Sequence, residues 1–161
     1  MQSHPHRVVI RDLSVYVWPA LLTPAECAQL AQAMPWHAGG GPNHAPEAAA
    51  VIRALVEPKL RGAPPVVLLD ELTLSSHPLP WHFDAPTPGA AFKLAIYPDA
   101  VTQGGTTFDR AAAFTPHTPQ GTVVLFDLRL EHRSEGSSRK RVIGLRAAHR
   151  EVPPCPSISS A

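Results

Sequence analysis

Prolines set the first limit on what this chain can fold into. Nineteen of them are spread over 161 residues. Proline lacks a backbone N–H and holds φ fixed, so it ends helices and stays at strand edges and turns. Short elements joined by frequent turns are expected, and long helices are not. Two windows still read as helix. In LLTPAECAQLAQAM, Thr23 is an N-cap, Pro24 suits the first helical position, and Glu26 completes a Thr-x-x-Glu box. That helix should end near Met34, before Pro35, with Ala25, Ala28, Leu30 and Ala31 giving a modest packed face. From Glu47 to about Leu60, Val51, Ile52, Leu55 and Val56 recur at helical spacing, and Gly62 is placed to cap the end. The Gly-rich stretch His37 to Pro46 reads as a flexible connector.

Strands dominate the remainder. Arg7 to Trp18 is rich in Val, Ile and Tyr and reads as one or two short strands. After Pro64-Pro65 the segments PVVLLDELTLSS, AAFKLAIYPDA, TTFD, GTVVLFDL and RKRVIGLRAAHR each read as a strand. Strands and helices do not alternate, which argues against a parallel doubly wound sheet. The expected fold is mainly β with N-terminal helices: a double-stranded β-helix, or jelly roll, braced by two helices. The length suits a single domain over 1–161. Helical support should fill about 20–62, the jelly-roll core about 64–150, and a loose tail 151–161.

Composition excludes several functions. A net charge of +1 leaves no strongly basic face for nucleic acid. No apolar run has bilayer length, and MQSHPHRVVI lacks the apolar core of a signal peptide, so a cytoplasmic protein is expected. Cys27 and Cys155 are far apart and form no CxxC pair, which removes both a thiolate zinc site and a disulfide framework.

The histidines carry the chemistry. Of nine, at positions 4, 6, 37, 44, 77, 82, 117, 132 and 149, most sit in termini, connectors or proline-flanked turns and need no functional role. His82 differs because Asp84 stands two residues on, within LPWHFDAPTPG. In extended chain two such side chains point to one side. Two imidazoles and one carboxylate on one face of an octahedron leave open coordination positions, the arrangement of Fe(II) oxygenases. His132 is the leading third ligand, since it follows the apolar strand Gly121 to Leu128 and opens onto the next. His117, in FTPHTPQG before that strand, is the rival, and His149 comes too near the end.

Arg141 begins the strand RVIGLRA, whose alternation sets it with Ile143, Leu145 and Ala147, and sets Val142, Gly144 and Arg146 on the other face. A buried guanidinium needs an anion, and a carboxylate meets it through two parallel hydrogen bonds. A dicarboxylate suits such a site. Read without the His-Asp-His set, Arg139, Lys140 and Arg141 are a solvated basic cluster.

These residues together resemble the 2-oxoglutarate/Fe(II)-dependent oxygenase superfamily, in particular its prolyl 4-hydroxylase-like branch. The likeness runs from about residue 15 to 150. His82, Asp84 and His132 match the family's His-x-Asp…His metal motif, Arg141 its cosubstrate arginine, and Tyr97 in KLAIYPD the tyrosine that also meets the far carboxylate. GGTTFD resembles the family's Gly-Gly-x-Thr-x-Phe turn, and LLTPAEC its supporting helix. The resemblance implies Fe(II) and 2-oxoglutarate as cofactor and cosubstrate. Dioxygen is consumed, an unactivated C–H bond is hydroxylated, and succinate and CO2 are released. The substrate would be a small molecule, an amino acid or a peptidyl residue. An aspartate at 84 leaves no vacant position for chloride, which disfavours halogenation. The chain is short for the family, and Ile143 stands where some relatives have a hydroxyl residue. Trp81 and Arg129 are weak candidates for substrate contact. Arg133 and Lys93 are better read as solvated surface, and Trp18 and Trp36 as core. Two other readings stay open: a cupin-like metalloenzyme that does not use 2-oxoglutarate, and a noncatalytic binding module on the same fold.

Overall fold

The computed structural model describes residues 4–34, 41–43, 46–75, 78–101, 105–135 and 141–151. His37, His44, His77, Trp36, Arg139, Lys140, Cys155 and all but the first residue of the tail lie outside them.

The chain opens with a hairpin of β1 (His6–Ile10) and β2 (Leu13–Trp18). Helix α1 (Pro24–Ala33) follows, then β3 (Gly41–Asn43) and α2 (Pro46–Val56), extended by a 3-10 turn over Glu57–Lys59. The remaining strands are β4 (Val66–Ser75), β5 (Leu79–His82), β6 (Phe92–Tyr97), β7 (Thr106–Phe108), β8 (Thr122–Asp127), β9 (His132–Ser134) and β10 (Val142–His149). They form a seven-stranded sheet ordered β1-β2-β8-β6-β10-β4-β3 and a three-stranded sheet ordered β5-β9-β7. Each pairing between these strands is antiparallel. This is the jelly roll braced by two helices. No described helix is long and apolar enough to cross a membrane.

Local chemistry explains the helices. Thr23 Oγ1 accepts the Glu26 N–H, and the Glu26 carboxylate accepts the Thr23 N–H, so both halves of the capping box form. Such a cap contributes about 1 kcal/mol. The second helix stops at Val56, earlier than its apolar spacing suggests, because Pro58 tightens the next turn into 3-10 form. The connector expected over 37–46 contains a strand: β3 adds to the sheet edge by pairing with Leu72–Leu74 of β4. Three-residue strands carry too few side chains to show a period, so β3 and β9 are invisible to pattern reading.

Alternation divides the core in two. Ile143 and Leu145 of β10 and Val123 and Leu125 of β8 face the helices, where they meet Trp18, Leu22, Leu30 and Ile52. Ala95 and Tyr97 of β6 and Val124 and Phe126 of β8 face inward, against Phe108 and Leu130. The large sheet is thus apolar on both faces, one covered by helices and the other by the small sheet.

One glycine joins these layers. Gly121 has φ of +81°, and a Cβ there would lie 2.1 Å from the Leu22 carbonyl oxygen. Its carbonyl accepts the Leu22 N–H at 3.1 Å and its own N–H donates to Tyr97 at 2.8 Å. Gly121→Ala therefore combines left-handed strain with a backbone collision and should destabilise the protein by about 3 kcal/mol or more. Urea midpoints of the two proteins measure this.

Candidate metal centre

The small sheet aligns the side chains of the site. β5 and β9 pair with His82 directly opposite His132, and the two ring centroids lie 4.4 Å apart. Opposed residues of an antiparallel pair project from the same face. The chain leaves β5 extended, so Asp84 returns to that face while Phe83 turns outward and is 62% exposed. One ligand atom from each of His82, Asp84 and His132 lies within 4.8 Å of the others. No other such group occurs among the described residues.

Both imidazoles are oriented by their own backbone. His82 Nδ1 lies 2.7 Å from the Pro80 carbonyl oxygen, and His132 Nδ1 lies 3.0 Å from that of Leu130. A carbonyl only accepts, so each Nδ1 carries a proton and each Nε2 is turned to the carboxylate. His132 Nε2 is 3.6 Å from Asp84 Oδ2 and His82 Nε2 is 3.9 Å from Oδ1. Asp84 Oδ2 is buried and accepts no well-aligned hydrogen bond, although the Arg146 guanidinium pairs with it at 3.0 Å. Two imidazole nitrogens and a carboxylate converge, a donor set that suits a cation. The Nδ1–carbonyl bonds are the outer support that metal-binding histidines commonly have. The residues fit a divalent metal, and two imidazoles with one carboxylate fit Fe(II) in particular.

The electrostatics follow from burial. His132 packs among His82, Phe108 and Phe126, with Phe126 edge-on at 5.0 Å. Burial pushes its pKa down to about 4, against the opposing pull of Asp84. It is neutral at pH 7 and available as a ligand. Burial acts to raise the Asp84 carboxyl, but Lys93, His132 and Arg146 outweigh it and hold the group below its ordinary value. Burial lowers the Lys93 ammonium, opposed by Asp84, to which Nζ donates at 2.9 Å. Arg146 ties the coil carrying Asp84 to β10, donating to the Ala85 carbonyl at 3.1 Å and Thr87 Oγ1 at 3.3 Å. Its Nη1 lies 3.0 Å from Asp84 Oδ2.

A cavity with an empty volume of about 370 Å³, including its open mouth, adjoins the ligands. His82, Lys93, Thr106, Phe126, His132 and Val142 are among its lining residues. The structure does not bring Arg141 there. Its guanidinium binds Asp99 through two hydrogen bonds of 2.5 and 2.7 Å. Val142, one residue on, faces the cavity, and Ile143 faces the helices. Tyr97 is on the correct face but fully buried behind the lining; its hydroxyl hydrogen-bonds Thr106 at 2.6 Å, and burial raises its pKa to about 12. Trp81 is outside the cavity lining, with the guanidiniums of Arg133 and Arg110 at 4.9 and 5.7 Å from its ring. Arg129 is gripped by Asp127 at 2.8 and 2.9 Å. His117 and His149 are exposed. The two cations that do meet the site are Lys93 and Arg146. Lys93 is not solvated surface; its side chain is 16% exposed. A signal for both existed: Lys93 shares alternation with Tyr97, and Arg146 with Val142.

No protein-family model matches the sequence, and no curated protein does. Solved structures match at the level of fold. AviO1 from Streptomyces viridochromogenes Tue57 is 19% identical, with 96% of this chain and 94% of that chain covered and a TM-score of 0.57. The viral collagen prolyl hydroxylase of Paramecium Bursaria Chlorella virus-1, solved as a 2OG complex, is 14% identical over 85% and 96% of the two chains, with a TM-score of 0.54. A 2OG-Fe(II) oxygenase family oxidoreductase from Burkholderia pseudomallei is 12% identical over 84% of each chain, at 0.61. The chain has the fold of the 2OG-Fe(II) oxygenases, prolyl hydroxylases included.

The neutral, buried His132 predicts a pH dependence for metal-stripped protein. A depressed folded-state pKa means the unfolded chain binds the proton more readily. The stabilisation is complete above the ordinary imidazole value of 6.5 and is lost as pH falls toward about 4. The loss should be about 3 kcal/mol, and His132→Gln should flatten it. Denaturant midpoints across that window test both.

Proposed function

We propose that this protein is a 2-oxoglutarate- and Fe(II)-dependent oxygenase that hydroxylates an unactivated C–H bond of a small molecule, an amino acid or an exposed peptide segment. One observation carries the reading: two backbone-oriented Nε2 atoms and the buried Asp84 carboxylate converge beside a cavity. They do so on a fold shared with such oxygenases.

His82, Asp84 and His132 would hold the metal. Bound iron supplies dioxygen activation coupled to oxidative decarboxylation of 2-oxoglutarate, giving succinate and CO2. The chain supplies orientation and dryness. The Pro80 and Leu130 carbonyls keep both imidazoles in the ligating tautomer. Arg146 anchors the coil on which Asp84 rides. Phe108 and Phe126 shield His132 from water, and Phe126 forms part of the cavity wall.

Arg141's engagement with Asp99 favours one alternative, a metalloenzyme on this fold that does not use 2-oxoglutarate. The two readings separate on ligand binding. Under anaerobic conditions, Fe(II) and 2-oxoglutarate together should produce a weak visible charge-transfer band, and admission of air should release succinate slowly. His132→Ala should abolish both and weaken Fe(II) binding by about 100-fold or more. A protein that binds Fe(II) but shows neither band nor succinate belongs to the alternative.

A further inference from the structure

A second pocket lies against the small sheet, with an empty volume of about 590 Å³ including its open face. It shares no lining residue with the cavity described above. Phe83 and Glu131 line it, and each is the chain neighbour of a converging histidine, His82 or His132. Leu13 and Leu130 extend its apolar wall, and Arg11, Arg110 and Arg129 bring three guanidiniums. We infer that this pocket binds the oxyanion end, a phosphate or a carboxylate, of an elongated ligand with an apolar body. Resting on the oxygenase reading, that ligand is the substrate, distinct from 2-oxoglutarate.

The ion pairs of the pocket share one polarity. Arg11 pairs with Asp109, Arg110 with Glu131 and Arg129 with Asp127. The arginine side chains are 62 to 75% exposed and those of the acids 9 to 21%. Charge is balanced inside the protein, yet the face offered to solvent is cationic. Among the described residues, the hydrogen bonds of Arg11 and Arg110 run through Nε alone, at 2.9 and 2.8 Å. Each guanidinium is thus oriented from behind, and its terminal Nη1 and Nη2 groups can donate two parallel hydrogen bonds to one oxyanion. Arg129 uses Nε and Nη2 on Asp127, so its contribution is mainly charge.

Backbone geometry serves the same side chains. Ile10 pairs with Leu13, so Arg11 and Asp12 form a two-residue turn, with φ of +49° and +64°. Asn-Gly is the favoured choice for such a turn. Arginine there is locally unfavourable, and it is fixed by Asp109, itself at φ of +55°. Strain of this kind persists where surrounding structure over-determines it, and it clusters at ligand sites. Phe83 supplies the apolar contact as the most exposed large apolar side chain among the described residues. A ligand with its acid end on Arg11 and Arg110 and its body over Phe83 is directed toward the converging side chains of His82 and Asp84, one residue away on either side.

Phenyl phosphate and isophthalate, a phosphate monoester and a dicarboxylate, test the site by calorimetric titration of metal-free protein. At least one should bind saturably. Arg110→Met should weaken that binding about tenfold, the low end for a charge-assisted pair because the guanidinium is exposed. Arg11→Lys keeps a charge beside Asp109 and should lose less. Arg150→Met removes an exposed charge paired with Glu57, away from the pocket, and should change nothing. Phe83→Ala should weaken phenyl phosphate and leave inorganic phosphate unaffected. Tighter binding of phenyl phosphate assigns a phosphate ester, and tighter binding of isophthalate a carboxylate. Saturable binding of neither, an equal loss in Arg150→Met, or unchanged phenyl phosphate binding in Phe83→Ala overturns the site. The substrate role has its own readout: proton resonances of the bound probe should broaden in Mn(II)-loaded protein relative to Zn(II)-loaded protein, and Arg110→Met should abolish the broadening. Broadening that is absent, or that survives Arg110→Met because the probe sits on the metal itself, overturns that role. Failure of the oxygenase reading shows elsewhere, as unmutated protein that yields neither charge-transfer band nor succinate.

Discussion

The pairing of β5 with β9 is the constraint on which the site depends. These are among the shortest strands in the molecule, yet their register sets His82 against His132, fifty positions later in sequence. A slip of one residue would turn either imidazole to the opposite face. The small sheet has little capacity to hold that register by itself. It is held by what it packs on: Phe108 of β7 lies 4.8 Å from Phe126 of the large sheet, and both lie against His132. The large sheet, covered by helices on its far side, is therefore the rigid body, and the ligand-bearing strands borrow its order.

A second consequence is electrostatic. Bringing two imidazole nitrogens and a carboxylate together under apolar cover is unfavourable in isolation. The molecule offsets this with neighbouring cations. Lys93 and Arg146 both reach Asp84, and the carboxyl stays below its usual pKa despite its burial. Each imidazole proton is committed to a carbonyl two residues back, so neither ring can relieve the crowding by flipping its tautomer. The site is thereby arranged for a positive ion instead of a proton.

Arg141 and Lys93 show that alternation sorts side chains by face without naming their partners. Arg141 precedes β10, whose Ile143 and Leu145 face the helices, and its guanidinium turns to Asp99. The inward face carries Val142, Gly144 and Arg146. Along β6 the inward set is Lys93, Ala95 and Tyr97. Once Tyr97 is taken as inward, the same period marks Lys93 as inward too. A lysine within an apolar strand reads as solvated surface only until the opposing wall supplies an aspartate.

The sequence by itself determined the helices, the long strands and which two histidines and aspartate converge. Capping chemistry, apolar periodicity and the His-x-Asp spacing act over a few neighbouring residues, so they survive in one dimension. It also held the alternation that sorts inward from outward side chains. Only the tertiary structure decided which inward cations meet Asp84, that Arg141 is held by Asp99, that 41–43 adds a strand, and that Tyr97 is sealed behind Thr106. Those outcomes depend on contacts between segments far apart in the chain, where distance and burial, not residue type, choose the partner.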